Sequence, residues 1–126
     1  MSGVRVVQGP DHSNLQECVI ANSETIDFQD PVTIDANGFL KQIDAGEKPV
    51  GFYAEQRKTV AADNQTVAAV KGKYQPWEAF TVFEVTGDQA CTQTDLGTYA
   101  DFAVDGSFNI TLNLAGGASG QAVVLD

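Results

Sequence analysis

The most regular stretch of the chain runs from Phe108 to Leu114. Phe108, Ile110, Leu112 and Leu114 alternate with Asn109, Thr111 and Asn113. That period belongs to a half-buried antiparallel strand, with one face on a core and the other in water. Asp105-Gly106 just ahead of it is a strong hairpin signal, so Asp101 to Val104 is expected as its partner. Ala115 to Gly120 then makes a Gly-rich turn, and Ala122 to Leu125 is expected to close the sheet. Phe80 to Val85 is apolar on both faces, as in a strand covered on both sides. Earlier, Pro31 to Tyr53 shows three shorter runs, Val32 to Ile34, Phe39 to Ile43 and Val50 to Tyr53. They are separated by Asp35-Ala36-Asn37-Gly38 and by Ala45 to Pro49, where Asn and Gly tolerate positive φ and Pro removes a backbone donor. The pattern predicts a β-meander.

The remaining stretches are less regular. Ser13-Asn14-Leu15-Gln16 has capping-box spacing, and Leu15, Cys18 and Val19 share a helical face, while Glu17 to Ala21 suits a strand as well. Phe52 to Val60 and Thr66 to Lys71 are expected as a hairpin about Ala62-Asp63-Asn64. Gly72 to Glu78, with Tyr74, Pro76 and Trp77, reads as an irregular connection, and Thr86 to Thr98 as a polar loop. At the N-terminus, Val4, Val6 and Val7 flank Arg5 in a short extended arm cut off by Gly9-Pro10. Such an arm is either an edge strand of its own sheet or a strand offered to a neighbour or partner. About eight short strands between turns predict an all-β fold: a small antiparallel barrel or sandwich. One domain over residues 1–126 is expected, with 1–10 as the extended N-terminal arm.

Composition narrows the function classes. The net charge is -10 and the pI about 4.2, which argues against binding nucleic acid through its phosphates or an anionic membrane surface. All 7 basic residues lie at or before Lys73, and the 7 acids after it have no base among them. Such a half is either a solvated face or a surface suited to a basic partner. The two cysteines, Cys18 and Cys91, make no disulfide framework and are expected as reduced, buried thiols. MSGVRVVQGP lacks the apolar stretch of a secretion signal, and no run approaches 18 apolar residues.

Candidate chemistry is sparse. His12 is the only histidine, which excludes a multi-histidine metal site and a His-based triad by count; a solvated loop residue is the plainer reading. Cys91 lies in a stretch with no cation or histidine to activate a thiolate. Asp88, Asp95, Asp101 and Asp105 lack the spacing of a calcium loop. With 17 acids, pairs such as Glu78 and Glu84 are expected by chance, so they do not argue for a glycosidase. Gly116-Gly117 and Gly120 are not followed by the Lys of a phosphate loop. Tyr74 and Trp77 suit either a sugar-stacking platform or the rim of a small core. No metal, cofactor or catalytic residue is expected.

Read in order, these stretches resemble the head decoration, or capsid cement, proteins of tailed bacteriophages. PVTIDANGFLKQIDAGEKPVGFYAE is similar to that family's opening strand, turn and following Gly-Pro segment. TVAAVKGKY is similar to its continuation, and DFAVDGSFNITLNLAGGASGQAVVLD to its C-terminal hairpin and closing strand. The likeness covers about residues 25 to 126. It implies a β-tulip-like fold, self-association as a trimer or dimer at the symmetry axes of the shell, and binding to the major capsid protein on the outer surface of the virion. It implies no enzyme activity. The arm residues Val4, Arg5, Val6 and Val7 would be the counterpart of the family's capsid-binding arm, although they lack the Pro/Thr-rich character of some relatives. Deleting Met1 to Gln8 is then expected to leave the domain folded and weaken capsid binding. The alternative is a carbohydrate-binding β module using Tyr74 and Trp77, with a carboxylate enzyme ranked below both.

Overall fold

The computed structural model describes residues 4–8, 14–44, 46–78, 81–85, 87, 91–104, 109–114 and 121–124. Among them are twelve strands: β1 (Val4–Gln8), β2 (Gln16–Val19), β3 (Thr25–Ile26), β4 (Pro31–Ile34), β5 (Leu40–Gln42), β6 (Gly51–Tyr53), β7 (Lys58–Thr59), β8 (Lys71–Pro76), β9 (Val82–Val85), β10 (Tyr99–Val104), β11 (Ile110–Asn113) and β12 (Ala122–Val123). A single 3-10 turn, Gln93–Asp95, interrupts them; Asp95 Oδ2 accepts from the Thr92 N–H at 2.7 Å. The strands form antiparallel sheets ordered β2-β8-β6-β4-β5, β11-β10-β12, β1-β9 and β3-β7. The fold is all-β and sandwich-like, and none of these sheets closes into a barrel.

The alternation in the C-terminal half is realised in the packing. Ile110, Leu112 and Leu114 are buried, while Asn109, Thr111 and Asn113 are half-buried. β10 pairs with β11 in the register Asp101↔Asn113 to Val104↔Ile110, and β12 adds to the other edge through Ala100↔Ala122. The Asp105-Gly106 and Gly116 to Gly120 turns lie outside the described residues.

The stretch from Pro31 to Tyr53 departs from a meander. β4 and β5 do form a tight hairpin: Asp35 Oδ1 accepts from the N–H groups of Asn37 and Phe39 at 2.9 and 3.0 Å, and Gly38 takes φ +89. The third strand, however, pairs with β4, through Pro31↔Phe52 and Val32↔Gly51. The outer edge of β5 is occupied, since Leu40 O accepts from the Ala21 N–H at 2.8 Å and Ile20 bridges Leu40. The chain therefore returns along the free edge of β4, held there by the Thr33 hydroxyl donating to Lys48 O at 2.7 Å. Ile20 directly follows β2, so the two edges of the five-stranded sheet approach each other.

Three further expectations change. Thr66 to Lys71 is not the second arm of a hairpin; residues 62 to 68 are turns, and the next strand begins at Lys71. The cause is Asn64, whose buried amide donates to Ile20 O at 2.7 Å and Val70 O at 3.1 Å and accepts from Val70 N–H at 3.0 Å. One side chain thus satisfies backbone groups that a strand would have paired. Gly72 to Pro76, expected as a connection, lies inside the five-stranded sheet as β8, between β2 and β6. β2 settles Gln16 to Val19 as strand; Ser13 lies outside the described residues. β9 is not covered on both faces: Val82, Phe83 and Val85 are half-buried and Glu84 is exposed.

Adjacent residues of β6 feed opposite cores. Phe52 belongs to a cluster with Val4, Ile43, Phe102, Ile110, Leu112 and Val124. Tyr53 belongs to a second, with Ile20, Ile26, Val32, Leu40 and Val60. All three residues of β6 are buried, so the five-stranded sheet is covered on both faces there. Gln121 ties the C-terminal sheet to it. Its Oε1 accepts from Phe102 N–H at 2.7 Å and its Nε2 donates to Asp44 O and Glu47 O at 2.9 and 2.6 Å.

The N-terminal residues form a strand of the chain's own sheet. β1 pairs with β9 from Val4↔Val85 to Gln8↔Val82, with a register shift after Val6. Val4 is 4% exposed and sits in the first core. Deleting Met1 to Gln8 is therefore expected to destabilise the domain rather than leave it intact. Losing the burial of Val4 alone costs about 1.5–3 kcal/mol. A melting curve of the truncated chain checks this, and an unchanged midpoint would show that β1 adds nothing to the fold.

Candidate interaction surface

The valines of β1 divide by position. Val4 is buried and Val6 half-buried against the first core, whereas Val7, beside the register shift, is 53% exposed. Arg5 faces solvent and makes a forked contact with Glu84 on β9, from Nη2 at 2.8 Å and Nε at 3.2 Å. Both partners are exposed, so the pair orients the strands more than it stabilises them. Of the four arm residues singled out, Arg5 and Val7 are open to a partner in the folded chain, and Val4 is not.

Tyr74 and Trp77 are both half-buried and pack on different cores. Trp77 stacks on Phe52 with ring centroids 4.9 Å apart at 16°, and meets Phe83 edge-on at 6.3 Å. It packs against the first core and Tyr74 against the second. Burial pushes the Tyr74 phenol above its ordinary range, with Cys18 adding to the effect. The two rings thus serve as packing elements and are not brought together as one platform.

The other candidates scatter. Glu78 is exposed and Glu84 is taken by Arg5. Asp95 caps the 3-10 turn, and Asp101 is buried in β10. His12, Asp88 and Asp105 lie outside the described residues. Among the described residues, no group of three or more His, Cys, Asp or Glu side chains is placed to hold a metal ion. Both cysteines are free; Cys18 is half-buried and Cys91 exposed, so neither is the fully buried thiol expected. Burial raises the Cys18 thiol, partly offset by backbone hydrogen bonding from Leu40, which works against a reactive thiolate. No helix among the described residues is long and apolar enough to cross a membrane.

What sequence reading missed is an apolar surface where the C-terminal sheet meets β9. Tyr99 and Val123 are cross-strand partners on β10 and β12, 58% and 47% exposed. Leu96 is also exposed, and its neighbour Gly97 donates its N–H to Val124 O at 2.7 Å. Val7 and Val123 both line a groove of about 450 Å3, whose walls are Thr81 to Val85 and Ala122 to Val124, with Leu112 also lining it. Exposed apolar residues so grouped mark interaction sites more often than isolated ones do. The signal in the sequence was faint, since Val123 reads as one more apolar residue in a closing strand. No family model, curated protein or solved structure matches the chain.

Proposed function

We propose that the protein is a structural virion component that binds the outer surface of a tailed-phage capsid and stabilises the expanded shell. The exposed apolar surface of Val7, Leu96, Tyr99 and Val123 carries the reading, because it fits contact with another protein. The stretches that resemble decoration proteins add support, since they form β4 to β6 and β10 to β12, which build much of both cores. The partners on this reading are the major capsid protein and sister copies in a trimer or dimer. A net charge of -10 disfavours DNA and anionic lipid as partners. The carbohydrate reading gains no observation, because Tyr74 and Trp77 pack on different cores.

Co-sedimentation with expanded, undecorated shells of the phage that encodes the protein is the test. Wild type is expected to pellet with the shells. Tyr99→Glu and Val7→Glu are expected to weaken binding at least about tenfold, as loss of a well-packed contact residue does, with melting unchanged. Failure of the wild type to bind such shells would overturn the proposal.

A further inference from the structure

Asn37-Gly38, at the tip of the β4–β5 hairpin, carries chemistry of its own. With glycine after asparagine, no side chain hinders the next backbone nitrogen from reaching the asparagine carboxamide. That nitrogen can displace ammonia and close a cyclic succinimide. Of the six asparagines, only Asn37 is followed by glycine. Asn37 is exposed, and its carboxamide has no hydrogen-bond partner among the described residues. No heavy atom lies within 4 Å of where a side chain on Gly38 would begin, so a ring there meets no obstacle. The other asparagines are less open to the reaction. Asn22, ahead of Ser23, is exposed, but its Oδ1 accepts from the Gln65 N–H at 2.7 Å and the Ser23 N–H donates to Ala61 O at 3.0 Å. Asn64 is buried, with its carboxamide bonded to Ile20 and Val70. Asn14, Asn109 and Asn113 precede leucine or isoleucine, whose side chains crowd the attacking nitrogen.

The same turn restrains the reaction. The Gly38 N–H donates to Asp35 O at 3.0 Å, which makes Asn37 the third residue of a β-turn and engages the attacking nitrogen. The Asp35 carboxylate holds the N–H groups on either side of it, that of Asn37 at 2.9 Å and that of Phe39 at 3.0 Å. We propose that Asn37 is the chain's site of spontaneous deamidation, and that Asp35 is a positioning residue that slows it by holding the turn closed. The Gly38 nitrogen gives its proton to hydroxide and bonds to Asn37 Cγ. The bond from Cγ to the carboxamide nitrogen breaks, and that nitrogen leaves as ammonia. Water then opens the ring at either carbonyl, leaving aspartate or isoaspartate. Both products add a negative charge. Isoaspartate also lengthens the backbone by a methylene, directly ahead of the buried Leu40 and in a turn whose Gly38 O accepts from the Cys18 thiol at 3.3 Å. The reaction is intramolecular and stands apart from the capsid reading.

The test incubates the full chain in mildly alkaline buffer below its melting temperature. Samples are digested at intervals, and tandem mass spectrometry locates each asparagine converted to an acid. Isoaspartate is counted by enzymatic methylation of the same digests. Wild type is expected to convert Asn37 ahead of every other asparagine, with isoaspartate among the products. Asn37→Gln, which would need a larger ring, should remove the signal at this position. Asp35→Ala should speed conversion of Asn37 about tenfold, the scale set by losing hydrogen bonds to a charged acceptor. Asp35→Asn keeps an acceptor oxygen without the charge and should fall between the two. A synthetic peptide spanning Thr33 to Lys41, which has no fold to hold its turn, serves as the reference should Asp35→Ala disturb the hairpin. It should react at least about tenfold faster than the folded chain. Conversion of Asn22 or any other asparagine ahead of Asn37, or an Asn37 that stays intact while the peptide reacts to completion, would overturn Asn37 as the site. Equal rates in wild type, Asp35→Ala and the peptide would overturn the restraint by Asp35.

Discussion

Replacing Ile110 with aspartate is expected to unfold the protein, while aspartate at the next position, Thr111, is expected to be tolerated. Ile110 is 0% exposed, opposite Val104 in the register of β10 and β11, and belongs to the first core. The substitution removes about 1.5–3 kcal/mol of apolar burial. It also places a carboxylate in that apolar core, at a further several kcal/mol, even if the group protonates instead of remaining charged. Together these approach the roughly 5–15 kcal/mol that holds a domain together. Thr111 lies opposite Ala103 and is only half-buried. Its carboxylate can reach water, leaving a strand-propensity cost of up to about 1 kcal/mol. Thermal melts of the two variants decide the matter. Equal midpoints would mean that the facing of β11 is wrong, or that an assembly buries both sides.

Gly51→Ala is expected to cost about 3 kcal/mol, an unusually large effect for one methyl group. β6 is the middle strand of the five-stranded sheet, and Gly51 faces Val32 on one side and Pro76 on the other. A Cβ at this position would press on the Gln75 carbonyl oxygen, with the Gln75 carbonyl carbon at 2.9 Å and Tyr74 Cδ2 at 2.8 Å. Backbone cannot swing aside as the end of a side chain can, so β6 and β8 must separate. Their separation disturbs Phe52 and Tyr53, and with them both cores. Urea denaturation is the measurement, and a midpoint equal to wild type would show that the two strands are not in such close approach.

How much of this the sequence carried depends on where each interaction partner lies along the chain. Ile110, Leu112 and Leu114 were legible because a strand's own period names its buried face, and Asp101 to Val104 was legible because its partner follows it closely in the sequence. The Asp35 to Gly38 turn was equally local. The order of β6 beside β4 was not, since it depends on Ile20 and Ala21 occupying the far edge of β5. Thr66 to Val70 has the composition of a strand, but Asn64 holds it as a turn through contacts with Ile20 and Val70 that no periodicity records. Gly72 and Pro76 looked like breakers, yet Gly72 fits where Tyr53 and Leu40 leave no space for a side chain. For the surface, Val7, Tyr99 and Val123 are ordinary apolar letters. Only the positions of β1 and β12 bring Val7 and Val123 to one groove, with Tyr99 opposite Val123 on β10.

The pairing of β1 with β9 also bears on how the chain is made. Arg5 and Glu84 are 79 positions apart, so β1 leaves the ribosome long before its partner exists. At about 5–20 residues per second, the wait is roughly 4–16 s. Through that interval Val4, Val6 and Val7 form an unpaired, strand-prone segment of the kind that joins other nascent chains. Arg5 stands in the middle of it, and a charge so placed discourages such joining before it ever meets Glu84. The same guanidinium that contributes little to the finished fold therefore has its larger effect during synthesis, as a guard on an orphan strand.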